Sequence, residues 1–118
     1  MMSGKVEVSI RQASPQASIV DIKGEVSAFA ESALMDAYSQ ASADGVEAIV
    51  LNFDGLDYMN SSGIGLLVTL LIRANRNGHR LLACRLNEHY QHIFELTRLN
   101  EAIRVYDSEA AALAAIDM

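Results

Sequence analysis

Apolar and polar positions alternate over residues 5–12. Val6, Val8 and Ile10 fall on one face, and Glu7, Ser9 and Arg11 on the other. That period of two predicts a half-exposed strand. Pro15, within Ala13-Ser14-Pro15-Gln16, marks a turn. Ile19, Val20 and Ile22 predict a second strand over Ala17–Lys23, ended by Gly24, so the chain opens with a β-hairpin. Over 29–43 the period lengthens. Phe29, Ala30, Ala33, Leu34, Ala37, Tyr38 and Ala41 stand at helical spacing, with Ser27 as a cap and Asp44-Gly45 as a stop. The stretch Val46–Phe53 contains the continuous run Ala48-Ile49-Val50-Leu51, which predicts a strand buried on both faces. Residues 54–60 read as a loop.

The clearest helix follows. Ile64, Leu67, Val68, Leu71 and Ile72 keep an i, i+3, i+4, i+7, i+8 rhythm that predicts a core-facing stripe on a helix over 62–77, stopped by Gly78. Arg80–Leu86 predicts a strand. Asn87 caps a helix from Glu88 to Arg98, with Tyr90, Ile93, Phe94 and Thr97 on one side. Ile103–Tyr106 predicts a short strand. Asp107 or Ser108 caps a last helix with Ala111, Leu113 and Ile116 available to pack. The order β-β-α-β-α-β-α-β-α implies crossover connections. It predicts an α/β fold: a mixed, mostly parallel sheet opened by a hairpin and packed with about four helices. Nothing along the chain reads as a repeat or linker, and 118 residues suit a single domain over 1–118.

Composition narrows the function classes. Half the residues are apolar and a fifth charged, as in globular proteins. The net charge of −6, from 9 basic and 15 acidic side chains, argues against nucleic acid as a partner and tolerates a basic protein partner. No apolar run approaches the ~20 residues of a membrane span. Residues 1–11 lack the apolar core of a secretory signal, so a cytoplasmic protein is expected. The single cysteine, Cys84, lies in the run Leu81-Leu82-Ala83-Cys84 and is expected to be an inert core thiol rather than a redox centre.

Enzyme signatures are sparse. No glycine-rich phosphate loop occurs, and Met59 breaks the G-x-S-x-G pattern that would make Ser61 an elbow nucleophile. A small hydrolase using Ser61 is therefore the weaker idea, and no catalytic residue is assigned. His89 and His92 lie three apart on a helix, but nothing completes a metal set around them, and no cofactor is expected. The chemistry concentrates in Asp57-Tyr58-Met59-Asn60-Ser61-Ser62-Gly63-Ile64-Gly65. Two hydroxyls stand where a helix begins. In the plain structural reading Ser61 is an N-cap, and Gly63 and Gly65 let the helix start pack closely on a strand.

This stretch resembles the signature loop of the STAS domain, the fold of bacterial anti-sigma factor antagonists. The family pattern runs from a V-L-N-F strand, here Val50-Leu51-Asn52-Phe53, through an acidic loop and an aromatic–apolar pair to D-S-S/T-G-L/I-G. Gly24-Glu25-Val26, Gly78 and Ile93-Phe94-Glu95-Leu96-Thr97-Arg98-Leu99 support the likeness, which covers nearly the whole chain. In the antagonist branch the first serine of the pair, here Ser61, is phosphorylated by a partner that is both anti-sigma factor and serine kinase. The unphosphorylated antagonist binds that partner and frees the sigma factor. Phosphorylation blocks binding, and a phosphatase restores it. The resemblance thus implies a non-enzymatic signalling module with Ser61 as the modified residue and Asn60, Ser62, Gly63, Tyr58, Met59, Ser27 and Phe29 at the partner face. Two family aspartates are replaced, by Asn60 and by Ser27. The alternative within the same family is a scaffold in a stressosome-like or lipid-transport complex, without a phosphorylation switch.

Overall fold

A computed structural model describes residues 5–43 and 45–116. Strands β1 (Val6–Ser14) and β2 (Ala17–Val26) form the hairpin, and a 3-10 turn (Ala28–Ala30) leads into α1 (Glu31–Ala41). Then come β3 (Ala48–Met59), α2 (Ser61–Arg76), β4 (Arg80–Cys84), α3 (Glu88–Leu96), α4 (Leu99–Ala102), β5 (Arg104–Tyr106) and α5 (Glu109–Ile116). The five strands lie in sequence order. β1 is antiparallel to β2, and the other three pairings are parallel. The mixed, mostly parallel sheet read from the sequence is therefore correct.

The sheet separates two cores of unequal size. Ile49, Leu51 and Phe53 of β3 point into the larger one, with Leu34 and Tyr38 of α1, Leu67 and Leu70 of α2, and Tyr90 and Phe94 of α3. Ala48 and Val50 point the other way, onto Ile19, Leu82, Cys84 and Ala112 of α5. Residues 48–51 are all at most 1% exposed, as the unbroken apolar run required. A side-chain group ties α1 to the turn before β4: the Tyr38 hydroxyl sits 2.6 Å from His79 Nδ1 and accepts from Asn77 Nδ2 at 3.2 Å. Arg73 lies over the Tyr38 ring, 5.3 Å from its centroid.

Several boundaries depart from the sequence reading. β3 runs to Met59, through residues read as a loop, because β2 keeps pairing with it up to Val26↔Met59. The helix expected from Phe29 begins at Glu31, after the 3-10 turn, which leaves Phe29 90% exposed. Gly45 takes φ +80 after α1, and Asp44 lies outside the described residues. β4 stops at Cys84 rather than Leu86, where Arg85 turns to φ 62, and β5 begins at Arg104 rather than Ile103. α3 stops at Leu96, short of Arg98, whose left-handed φ of 60 opens the unanticipated α4. Thr97, expected on the packed side of α3, is exposed; its hydroxyl donates to the Ile93 carbonyl at 2.9 Å. In α5, Ser108 rather than Asp107 caps the helix, accepting from Ala111 N–H at 3.0 Å. Ala112, not Ala111, enters the core beside Leu113 and Ile116.

Cys84 is fully buried, and burial pushes its thiol up to about 11, with Glu109 adding to the shift. A thiol reagent at pH 8 is expected to label it slowly in the native protein and quickly in denaturant. Rapid native labelling would mean that the strand opens. The unfolded thiol ionises first, so this contribution is intact below pH 9 and is lost as pH rises towards 11.

Candidate partner-binding face at the start of α2

Two neighbouring parallel strands end at the same level, and this places the site. Val26 closes β2 opposite Met59, which closes β3. Each strand then turns into a helical segment, and each turn is capped by the next residue. Ser27 Oγ accepts from Phe29 N–H at 3.3 Å, and Asn60 Oδ1 accepts from Gly63 N–H at 2.9 Å. The Asn60 carbonyl takes the Ile64 N–H at 3.0 Å, closing the first turn of α2. The cap is thus Asn60, not Ser61. Asn60 has the extended backbone a cap needs (φ −96, ψ −177), so α2 begins one residue earlier than expected, at Ser61. The two positions where the family carries aspartate here hold an asparagine and a serine, which cap without charge. Asn60→Ala is expected to cost about 1 kcal/mol in denaturant unfolding and Asn60→Asp to leave the fold intact. Equal stability of all three proteins would remove the cap from the account.

The loop is pinned from behind. Asn60 N–H donates to the Val26 carbonyl at 3.2 Å, and Met59 N–H donates to the buried Tyr90 hydroxyl of α3 at 2.8 Å. Gly63 lies against the same strand end: a Cβ there would sit 2.2 Å from the Val26 oxygen and 2.8 Å from Met59 Cγ. Only glycine fits, so Gly63 does what the plain structural reading asked of it. Gly65 does not; it faces open space, with nothing within 4 Å of an added Cβ.

What faces outward is narrower than the expected set. Ser61 and Ser62 are exposed, Tyr58 is 51% exposed and Phe29 stands out fully. Asn60 and Ser27 are half-buried by their capping roles. Met59, at 4% exposure, and Gly63 are inside, so they shape the loop and offer no contact area. The phase of α2 also differs from expectation. Its buried residues are Gly63, Leu66, Leu67, Leu70 and Ala74, about one position round from the predicted stripe. Val68 and Ile72 are instead 39% and 52% exposed. At about 100° per residue, Ser61, Gly65, Val68 and Ile72 line up along the outermost side of α2. An apolar strip with a small residue at its head therefore runs from Ser61 down the helix. The sequence reading missed it because these apolar residues were assigned to the core.

The electrostatics of this corner suit an anion. α2 has no acidic residue in its first turn. With the Gly63 and Ile64 N–H groups bound to Asn60, those of Ser61 and Ser62 remain at the positive end of the helix. His89 and His92 are remote from this corner in role. His89 packs its ring edge-on to Tyr90, and exposed His92 lies 3.7 Å from Glu95.

Residues 9–112 match the STAS domain profile. The chain belongs to the STAS domain family. Among curated STAS relatives, the anti-sigma-B factor antagonist of Staphylococcus aureus is 28% identical over 86 residues, 73% of this chain and 80% of that protein. Among solved structures, an anti-sigma factor antagonist from Mycobacterium paratuberculosis superposes with a TM-score of 0.82 at 18% identity, covering 99% of this chain and all of that one. The Bacillus cell fate determinant SpoIIAA in its phosphorylated form superposes at 0.71 and 19% identity, covering 93% and 99%. This STAS chain thus shares their fold. Among its described residues no helix is long and apolar enough to cross a membrane.

Proposed function

We propose that this STAS protein is an anti-sigma factor antagonist, switched off by phosphorylation of Ser61. Unphosphorylated, it binds an anti-sigma factor that is also a serine kinase, and so releases the sigma factor. A phosphatase resets it. It acts in the cytoplasm, and residues 1–118 serve as a single binding domain without catalysis of its own. The observation that carries this reading is Ser61 itself: an exposed hydroxyl at the first position of α2, bearing no capping duty, at the head of the outward apolar strip.

The physics of the switch is local. A phosphate adds about −1.5 to −2 charge. At Ser61 it would lie beside the spare first-turn N–H groups, so modification need not disturb the sheet or α2. Asn60 and Ser27 supply no carboxylate to repel it, unlike the family's aspartates. The same charge at the head of the strip through Val68 would be carried into an otherwise apolar contact, where an unpaired dianion is costly. Support also comes from the S. aureus relative, an anti-sigma-B factor antagonist, and from the SpoIIAA structure in its phosphorylated form.

The test is calorimetric titration of the protein into the cognate anti-sigma kinase, with and without prior phosphorylation. Binding of the unmodified protein and its loss after phosphorylation are expected. Equal binding of both forms would favour the scaffold role.

A further inference from the structure

The two edges of the sheet are unequal. β1 is nine residues long, Val6–Ser14, and lies at the end of the sheet. Among the described residues no strand pairs with its outer side. The opposite edge is blunted by brevity, since β5 has only three residues. β1 has no proline, and its one irregularity comes only near the turn, between Gln12 and Ser14. A long regular edge is a template for strand addition.

The pairing phase identifies which groups are free. Glu25 N–H donates to the Lys5 carbonyl at 2.9 Å, so Lys5 and Glu25 form a hydrogen-bonded pair. In an antiparallel ladder such pairs alternate. With the observed partners Glu7↔Lys23, Ser9↔Asp21 and Arg11↔Ile19, the odd residues direct their backbone groups at β2. Val6, Val8, Ile10 and Gln12 therefore direct theirs outward. The side chains of Val6, Val8 and Ile10 lie on the core face and are only partly covered there.

We propose that this edge pairs with a second copy of the same chain, antiparallel about Ser9, to form one continuous ten-stranded sheet. Charge selects that register. With Ser9 on the two-fold axis, Val8 meets Ile10 of the second copy in hydrogen-bonded pairs, and Val6 meets Gln12. On the other face Glu7 comes opposite Arg11 of the second copy, twice. Moving the axis to Val8 would set Lys5 against Arg11, and moving it to Ile10 would leave Glu7 opposite Ala13. Arg11 is already held in place for the task. Its guanidinium donates to Asp21 at 2.6 and 2.8 Å and to Glu109 at 2.7 and 3.2 Å. Those four bonds leave one of its five N–H groups for Glu7 of the second copy. Val8 and Ile10 would complete each other's cover across the seam, joining the two larger cores.

The test needs no ligand: the mass of the full chain in solution across a concentration series, by light scattering, for the wild type and two variants, with disulfide cross-linking of two cysteine variants. The wild type is expected to shift towards twice the chain mass as concentration rises. Val8→Pro removes an outward N–H without removing a bond to β2, and it should raise the dimer Kd by roughly tenfold or more, since two seam hydrogen bonds disappear. Glu7→Arg, which sets arginine against Arg11 and leaves the core untouched, should do the same and covers the case in which the proline variant misfolds. Ser9→Cys should oxidise to a disulfide-linked dimer much faster than Thr69→Cys on α2, because the two-fold axis brings the Ser9 positions within disulfide reach. A single-chain mass at every concentration would overturn the proposal and leave the edge to an extended segment of another protein. A dimer indifferent to Glu7→Arg, or cross-linking no faster at Ser9 than at Thr69, would overturn it too.

Discussion

Ser61→Asp is expected to lose most of its affinity for the anti-sigma kinase, while Ser61→Ala keeps it. An aspartate puts a fixed charge at the head of the outward strip formed by Gly65, Val68 and Ile72. That face loses water on binding, and an unpaired charge there should weaken the complex by roughly 3–4 kcal/mol, about two to three orders of magnitude in Kd. Neither change should disturb the fold. Asn60, not Ser61, caps α2, so alanine at 61 should stay within about 0.5 kcal/mol of wild type. Calorimetry for binding and denaturant melts for stability separate the two effects. An aspartate variant that binds as tightly as wild type would sink the switch.

The second large effect is on stability. Leu67 is fully buried between α2 and the sheet, and Leu67→Ala should cost about 2–5 kcal/mol. Ile72→Ala, on the same helix and equally apolar, should change stability by no more than ~0.5 kcal/mol, because Ile72 is half exposed. It should instead weaken partner binding. This pair checks the phase of α2 directly. If Ile72→Ala unfolds the domain as readily as Leu67→Ala, the outward strip is not a surface.

That phase shows where the sequence was and was not legible. β3 announced itself because four consecutive apolar residues between two cores admit few other readings. Its last six residues did not. β4 pairs with β3 only as far as Asn52↔Cys84, whereas β2 pairs with it to Met59. Past Asn52, β3 therefore has one neighbour and carries Asp54, Gly55 and Asp57, which look like a loop. α2 was legible as a helix but not in its rotation, because apolar residues occupy both its inner and outer sides. A helix with more apolar positions than one core can hold is itself the sign of an exposed contact face.

At the site, three good capping residues follow one another, Asn60, Ser61 and Ser62, and local chemistry does not choose among them. The choice comes from tertiary bonds. The Val26 carbonyl and the Tyr90 hydroxyl hold the end of β3, and Gly63 has room only against Val26. Tyr90 lies 31 residues from Met59, so no local pattern reveals that bond. Gly63 and Ser61 were visible in the motif; which of them faces a partner was not.

The central claim is tested most directly by mapping the phosphate. Incubation with the cognate anti-sigma kinase and ATP, followed by proteolysis and fragment mass spectrometry, should place a single phosphate on Ser61, absent from Ser61→Ala. A phosphate on Ser62, or none under conditions where the kinase modifies its other substrates, would contradict it.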